Sequence, residues 1–178
     1  GSVNVRLARY ERKLGPDPAS ETACTIGGVV ANNSSGMACG TLHNTYRTLK
    51  SAVLVLPAGT VIDTGLPDAD ERLRLLEPEI YVGLAALRDR VRSNPRSVER
   101  VRRLYALKNT MGYSVNSFLD FVRPVDILTH LVIGSEGTLA FVAEATCHTV
   151  PAHRFASTGL LRFPSLDGAA ASLPPVID

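Results

Sequence analysis

Residues 25–36 combine residue types that suit ligand binding: the segment reads Thr-Ile-Gly-Gly-Val-Val-Ala-Asn-Asn-Ser-Ser-Gly. Gly27 and Gly28 allow the main chain to approach a ligand without an intervening Cβ. Successive N–H groups at a turn or helix start form a concave donor surface for phosphate or carbonyl oxygens. Two interpretations remain open: a ligand-binding backbone, and a capped turn in which Asn and Ser satisfy their own backbone groups.

Three further motifs frame this segment. Residues 16–18 read Pro-Asp-Pro, and residues 109–113 read Asn-Thr-Met-Gly-Tyr. Residues 134–139 read Gly-Ser-Glu-Gly-Thr-Leu and join an apolar run to a stretch of high β propensity. This second glycine-rich turn favours the ligand-binding interpretation.

In this order the motifs resemble those of the FAD-linked oxidases of the vanillyl-alcohol oxidase superfamily. The likeness is closest to the branch of D-lactate, glycolate and D-2-hydroxyglutarate dehydrogenases. That branch carries Pro-Asp-Pro, Ile-Gly-Gly, Asn-x-x-Gly, Asn-Thr-x-Gly-Tyr and Gly-Ser-Glu-Gly-Thr-Leu-Gly. The resemblance extends from about Leu14 to about Pro164, and it departs at Ala140, where the family has the last glycine.

The resemblance implies an α+β fold, namely the second subdomain of a PCMH-type FAD-binding domain, truncated, with an antiparallel or mixed sheet and flanking helices. It implies FAD as the cofactor of the parent enzyme and hydride transfer from the α-carbon of a D-lactate-like D-2-hydroxy acid to flavin N5. Asn109 and Tyr113 are expected beside the site, and no residue is predicted to be the catalytic base. By resemblance, the residues along the FAD are Pro16, Asp17, Thr25, Ile26, Gly27, Gly28, Asn33, Gly36, Gly40, Glu136, Gly137 and Leu139.

The resemblance also predicts how the chain is divided. Residues 1–2 resemble a tag remnant, residues 3–150 a partial FAD-binding domain with a helical insertion at about 67–107, and residues 151–178 the start of a substrate or cap domain. The family's other flavin-binding element, a Gly-rich loop that grips the pyrophosphate, has no match before Leu14. We therefore expect the chain alone to bind FAD weakly and to be inactive. The expected partners are the 2-hydroxy acid, the missing subdomain and substrate domain, and an iron–sulfur domain or other electron acceptor.

Composition excludes several classes of protein. The 178 residues are 45% hydrophobic and 20% charged, which is typical of a globular domain, and the net charge of +2 creates no strong attraction to nucleic acid. Cys24, Cys39 and Cys147 are odd in number and widely spaced, which argues against a disulfide framework or an iron–sulfur site within the chain. His148 and His153 have no metal-ligand spacing, so no metal is predicted. A cytoplasmic location is expected, with peripheral contact to the inner membrane through an electron acceptor as the alternative.

Periodicity predicts the elements that position the motifs. Residues 3–14 are expected to form a surface helix, residues 52–64 a β-hairpin with its first strand buried on both faces, and residues 138–150 a β segment. A short capped helix at 126–131 should lead into Gly134, with His130 packed rather than catalytic. Residues 155–163 are expected to form another strand, followed by a Ser-capped helix at 164–172.

Residues 67–107 are helical and rich in arginine. Apolar residues at 73, 76, 80, 84 and 87, and again at 98, 101, 104 and 107, predict two packed helices. Nucleic-acid binding is disfavoured, because Asp89 and Glu99 interrupt the arginines and no aromatic residues alternate with them. A non-enzymatic interaction module that uses this helical pair is the alternative function. The arginines concerned are Arg88, Arg90, Arg92, Arg96, Arg100, Arg102 and Arg103.

Overall fold

The computed structural model describes residues 2–37, 39–155 and 159–172 of the chain. Helices and antiparallel strands are mixed along the sequence, which confirms the predicted α+β class. The helices are α1 (Ser2–Ala8), α2 (Ile26–Asn32), α3 (Thr45–Thr48), α4 (Ala69–Leu76), α5 (Pro78–Ser93), α6 (Pro95–Tyr105), α7 (Ser117–Asp120), α8 (Pro124–Leu131) and α9 (Leu166–Ser172). The strands are β1 (Arg12–Leu14), β2 (Leu49–Val55), β3 (Val61–Asp63), β4 (Phe141–Cys147) and β5 (Thr149–Pro151).

The larger sheet has the strand order β3-β2-β4, and both pairings are antiparallel. β2 and β3 form the predicted hairpin, with Leu54 opposite Ile62. Leu54 and Ala52 are buried, whereas Val53 and Val55 on the opposite face are only half-buried. The prediction that this strand is buried on both faces is therefore wrong, because the helices of the core cover only one face completely.

The hydrophobic core lies between this sheet and helices α4, α5 and α8. Leu73 of α4 and Ile127 of α8 are fully buried beside Leu54, and Leu84 of α5 joins the same cluster. The Asp70 carboxylate connects the three helices, since it accepts from the Val125 amide (3.0 Å) and from the Tyr81 hydroxyl (3.1 Å). The arginine-rich segment therefore contributes two of its three helices to the core.

The predicted pair of helices is in fact three helices, because the chain breaks at Glu77 before Pro78. Proline lacks the N–H that would continue α4 and is suited to the first turn of α5. The break alters the helical phase, so Leu76 and Leu87 of the predicted apolar stripe are exposed. α6 has no buried residue.

Both terminal regions differ from the predictions. The first helix ends at Ala8, Glu11 adopts a left-handed conformation (φ 55°), and β1 pairs with β5, with Lys13 opposite Val150. This long-range pairing overrides the local helical spacing. No strand forms at residues 159–163, and residues 156–158 lie outside the described part of the chain. The Ser cap of α9 is confirmed, since Ser165 Oγ accepts from the Gly168 amide (3.1 Å).

Candidate functional site

Residues 26–32 form the short helix α2. Thr25 caps its start, and the Thr25 Oγ1 atom accepts from the Gly28 amide at 3.0 Å. A Cβ at Gly27 would lie 3.1 Å from the Val142 carbonyl oxygen of β4, and one at Gly28 would lie 3.0 Å from Thr25 Oγ1. A side chain at either position would therefore be tightly packed against the protein itself. The cap at the helix start is Thr25, whereas the capped-turn interpretation assigned this role to Asn and Ser, and contact of these residues with a ligand stays a prediction.

The second glycine-rich motif caps the other end of α2. Asn33 ends the helix in a left-handed conformation (φ 55°), and its amide donates to the Val30 carbonyl oxygen. The Gly134 amide also approaches Val30 (3.3 Å), and the Glu136 amide donates to Ala31 (2.9 Å). These bonds satisfy carbonyl groups that a helix end leaves without partners. The structure therefore brings the two predicted motifs together on one helix.

Asp17 and Gly36 lie side by side in a parallel bridge. The Asp17 amide donates to the Ser35 carbonyl oxygen at 2.9 Å. Gly36 has a φ of 72°, and a Cβ on it would come within 1.5 Å of the Asp17 carbonyl oxygen. Glycine is therefore required here by the fold.

The segment 109–113 packs against the same helix end. Asn33 Nδ2 lies 3.4 Å from the Asn109 carbonyl oxygen, and a Cβ at Gly134 would lie 2.3 Å from the Gly112 carbonyl oxygen. The Tyr113 hydroxyl pairs with Thr138 Oγ1 at 2.8 Å. Asn109 and Tyr113 thus lie beside the predicted site residues, as expected from the sequence, although their role toward a cofactor stays a prediction.

Three predicted site residues lack the close backbone contacts that are seen at Gly36 and Gly134. Gly40 and Gly137 have left-handed φ values of 54° and 78°, and nothing lies within 4 Å of a Cβ built on either. The left-handed backbone explains why glycine occupies both positions, because residues with a Cβ rarely adopt this conformation. Leu139 is half-buried and packs against the hydrophobic core.

Two cavities flank α2. The N-terminal cavity, of about 370 Å³, contacts the start of the helix and is lined by Pro16, Pro18, Cys24, Thr25 and Ile26 among others. The asparagine cavity, of about 280 Å³, adjoins the helix end and includes Asn33, Tyr46, Arg47, Tyr105 and Asn116. α2 has 7 residues and a length of roughly 10 Å at 1.5 Å per residue. A ligand that contacts both cavities must therefore be extended.

Sequence reasoning missed Asn116, which lies just before α7. Its side chain is 8% exposed, and its Nδ2 atom donates to Asp120 Oδ2 at 3.1 Å. No donor among the described residues reaches its Oδ1 atom, and the same holds for Asn33 Oδ1. Asn116 belongs to none of the motifs, so no signal in the sequence could have identified it.

The titratable groups near α3, α7 and α8 have structural partners. Burial and the hydrogen bond to Asp120 (2.8 Å) raise the pKa of Tyr46, so its phenol stays protonated. Burial lowers the pKa of His130, whose ring stacks on Phe121 with centroids 4.0 Å apart. His130 is therefore packed, as predicted, and α8 positions it beside the aromatic rings. α8 itself begins at Pro124, and Asp126 pairs with Arg123 instead of capping it.

Neither a cluster of metal ligands nor a membrane-spanning helix occurs in the described part of the chain. Within residues 2–37, 39–155 and 159–172, no three His, Cys, Asp or Glu side chains are grouped as metal ligands. Cys24, Cys39 and Cys147 are free thiols. Among the helices in the described part of the chain, none is long and apolar enough to cross a membrane.

Comparison with known proteins gives a family match and three relatives. The FAD binding domain model matches residues 1–65. The D-lactate dehydrogenase of Archaeoglobus fulgidus is 26% identical over 164 residues, which cover 90% of this chain and 25% of the relative. The D-lactate dehydrogenase of Anaerostipes hadrus is 24% identical over 94% of this chain and 25% of its own length. The D-2-hydroxyglutarate dehydrogenase of Pantoea ananatis is 24% identical over the whole chain and 18% of its own length.

These matches support the FAD-linked oxidase family and, within it, the branch of D-lactate and D-2-hydroxyglutarate dehydrogenases. The predicted resemblance is confirmed, and the family model that matches the chain is that of an FAD binding domain. The antiparallel sheets and flanking helices are consistent with a PCMH-type domain. The chain spans a quarter or less of the length of these relatives. No solved structure matches the chain.

The residues present fit an extended cofactor in part. Asn33 Oδ1 is a buried acceptor with no donor among the described residues, and cavities lie at both ends of α2. Gly27 and Gly36, in contrast, are packed against other parts of the chain, so their backbones need no ligand to explain them.

Proposed function

We propose that this chain contributes part of the FAD site of a dehydrogenase that oxidises a D-2-hydroxy acid such as D-lactate. The observation that carries the proposal is the hydrogen bond from the Glu136 amide to the Ala31 carbonyl oxygen. It joins the two glycine-rich motifs on a helix with a cavity at each end, which suits a long dinucleotide better than a compact ligand. Bound FAD would accept the two electrons of the oxidation.

The chain's own residues would bind and orient the cofactor. Thr25 sets the position of the helix start beside the N-terminal cavity, and Asn33 lines the cavity at the other end of the helix. The Glu136 carboxylate holds Asn32 in place through a hydrogen bond of 2.6 Å. The proposal assigns no catalytic base to this chain.

The substrate class follows from the relatives. Two are named D-lactate dehydrogenases and one a D-2-hydroxyglutarate dehydrogenase, so all three names denote D-2-hydroxy acids. The reduced cofactor requires reoxidation by a second carrier, for which we propose an iron–sulfur domain or another electron acceptor. A cytoplasmic location, with peripheral contact to the inner membrane through that acceptor, completes the proposal.

We further propose that the 178-residue chain alone holds FAD weakly and does not turn over substrate. The proposal rests on the expectation that the family's Gly-rich pyrophosphate loop has no match before Leu14. Each missing charge-assisted hydrogen bond would weaken binding by roughly 1.5–3 kcal/mol, and about 1.4 kcal/mol is a tenfold change in affinity. Several missing bonds would therefore lower the affinity by powers of ten.

The test compares the full-length protein that carries this chain with the 178-residue chain. We expect the full-length protein to show flavin absorbance and to reduce an electron-accepting dye with D-lactate or D-2-hydroxyglutarate, but not with the L-enantiomers. The chain alone should be colourless. A full-length protein without flavin would contradict the proposal, and stoichiometric FAD on the chain alone would contradict only its second part.

The alternative is an interaction module, which one feature of α6 favours. Arg96, Arg100 and Arg103 are exposed, and no carboxylate within the described residues pairs with them. Such a row of charge suits an acidic protein partner. Full-length protein that lacks both flavin and dye reduction would leave this function as the better account.

A further inference from the structure

The outward face of α6 carries a row of arginines that no acidic side chain of the described residues neutralises. Arg96, Arg100 and Arg103 follow the spacing i, i+4, i+7, which places them along one face of a helix. All three are exposed, and among the described residues no carboxylate forms an ion pair with them. These three residues are called the arginine row below.

Positive charge is concentrated on this helix. α6 contains four arginines and one glutamate, so its formal charge is +3, whereas the whole chain has a net charge of +2. The arginine row therefore creates a local positive field that the composition of the chain does not show. A surface field of this kind attracts partners of opposite charge and increases the rate at which they meet.

The fold holds α6 in place without using it for the core. α6 has no buried residue, whereas α4 and α5 of the same segment both contribute to the core. Val98, Val101 and Tyr105 lie on the side opposite the arginine row and are half-buried. The Tyr105 hydroxyl donates to the Tyr113 carbonyl oxygen at 2.9 Å and accepts from the Val115 amide at 3.2 Å. These contacts fix the helix with its arginines toward the solvent.

The arginine row ends beside the proposed cofactor site. Tyr105, Ala106 and Leu107, at the end of α6 and directly after it, line the asparagine cavity at the end of α2. Arg103 is two residues from Tyr105, which corresponds to about 3 Å along the axis at a rise of roughly 1.5 Å per residue. A partner that contacts the row would therefore lie next to this end of α2.

The size and the chemistry of this surface suit a transient protein partner. A helix of 11 residues is roughly 16 Å long and about 10 Å wide, which is far too small for the roughly 800 Å² that each partner of a stable complex buries. Small interfaces guided by charge are typical of electron-transfer complexes. Leu104 and Leu107, at the C-terminal end of the row, are 45% and 75% exposed and offer apolar contacts that a protein can use.

We propose that the outward face of α6 docks a separate, small redox protein with an acidic surface, which accepts the electrons of the proposed dehydrogenase. The inference rests on the proposed function, because that oxidation requires a carrier. Oxidation of one 2-hydroxy acid to the 2-oxo acid releases two electrons and two protons. Two one-electron carriers would accept one electron each in turn, and the two protons would go to the solvent.

The experiment uses the full-length protein that carries this chain, its hydroxy-acid substrate and three electron acceptors. The acceptors are an uncharged dye, plastocyanin, which has an acidic surface, and cytochrome c, which has a basic surface. Both proteins accept one electron at high potential, so the comparison tests their surface charge. We expect plastocyanin to be reduced faster than cytochrome c at about 10 mM salt. This difference should disappear at about 200 mM, because salt screens exposed charges.

Matched variants assign this effect to the arginine row. Replacement of all three arginines by Gln should lower the rate with plastocyanin about tenfold at low salt and leave the rate with the dye unchanged. Replacement by Lys keeps the charge and should retain most of the rate. The control replaces three other exposed arginines by Gln and should change the rate with plastocyanin by less than about twofold, although it removes the same charge. The control positions are Arg6, Arg72 and Arg162.

Two outcomes would overturn the inference: the Gln variant of the row reduces plastocyanin as fast as the unchanged protein, or the control variant loses as much rate as the Gln variant. If that Gln variant loses only its binding to duplex DNA, the row serves nucleic acid instead. In each case normal reduction of the dye leaves the proposed function intact.

A protein that reduces no dye with any hydroxy acid would contradict the proposed function itself. The binding of oxidised plastocyanin to the full-length protein then tests the docking surface without turnover. Weaker binding by the Gln variant than by the control variant would support the surface, and equal binding would overturn it.

Discussion

Asn32 Nδ2 donates to Glu136 Oε1 over 2.6 Å, across 104 positions of sequence. Glu136 adopts a left-handed conformation (φ 52°) at the tip of its turn, which is uncommon for a residue with a side chain. Together with the backbone bond from Glu136 to Ala31, this contact holds the turn against the end of α2. The predicted cofactor motifs are thus also part of the scaffold, and each variant must be measured for both stability and binding.

The contact between Gly36 and Asp17 leads to the first prediction. G36A should destabilise the chain strongly, because the new Cβ would overlap the Asp17 carbonyl oxygen at 1.5 Å and the residue would remain left-handed. G40A is the control, since Gly40 is also left-handed (φ 54°) but has open space around it. It should lower the free energy of unfolding by only about 1–2 kcal/mol. Equal melting temperatures for the two variants would contradict the structure.

The second prediction concerns Gly28 in the full-length protein. In G28V the branched side chain would lie over the Thr25 cap beside the N-terminal cavity, so we expect flavin occupancy to fall more than stability. The absorbance ratio of flavin to protein and the melting temperature measure the two effects. G83V is the control, because Gly83 lies on α5 with nothing within 4 Å of its Cβ. Full flavin occupancy with early melting of G28V would mean that the glycine serves packing alone.

A pH dependence of stability is the third prediction. Burial lowers the pKa of His130 below its ordinary value of 6.5, so the unfolded chain binds the proton more readily than the folded chain does. Stability should therefore be constant above about pH 6.5 and fall as the pH decreases through this range. H130F keeps a ring against Phe121 and removes the titration. Its melting temperature should decline less between pH 7 and roughly pH 5; parallel curves would refute the role of His130.

The fourth prediction concerns the arginines of α6. They lie on an exposed helix without alternating aromatic residues, so nucleic acid should bind weakly and without sequence preference. A gel-shift titration at about 50 and 200 mM salt should show binding that largely disappears at the higher concentration. Replacement of Arg96, Arg100 and Arg103 by Gln should reduce even this binding and leave the melting temperature unchanged. Tight, sequence-selective binding at the higher salt would disprove the prediction.

The sequence correctly predicted those helices and strands that depend on neighbouring residues, such as a turn or a capping residue. The hairpin β2–β3 was recognisable from its apolar strands and the Pro-Ala-Gly turn between them, and Ser165 identified the start of α9. Pro78 could have predicted a break between two helices. The apolar positions on either side of it fit a single helix, so the break was not predicted. Its effect on the helical phase explains why Leu76 and Leu87 are exposed.

The features that the sequence did not predict depend on contacts between residues that are far apart along the chain. The glycine pair of α2 was considered for contact with a ligand, whereas a Cβ at Gly27 would lie close to the Val142 carbonyl oxygen of the distant strand β4. The end of the first helix depends on pairing with β5, which no local pattern indicates. Asn116 and Asn33 line the same cavity although they are far apart in sequence, and the residue type of Asn116 alone does not indicate this.

The pairing of β1 with β5 has a consequence for the order of folding. Arg12 and Thr149, which form one of its hydrogen bonds, are 137 positions apart, and the ribbon has only two strands. Contacts of such high contact order form slowly, and two-stranded ribbons are marginally stable. We therefore expect this ribbon to form last and open first, and amide hydrogen exchange should be faster there than in β2. Because Leu14, the last residue of β1, and Pro16 both line the N-terminal cavity, each opening would loosen the wall of that cavity while the sheet and α2 stay folded.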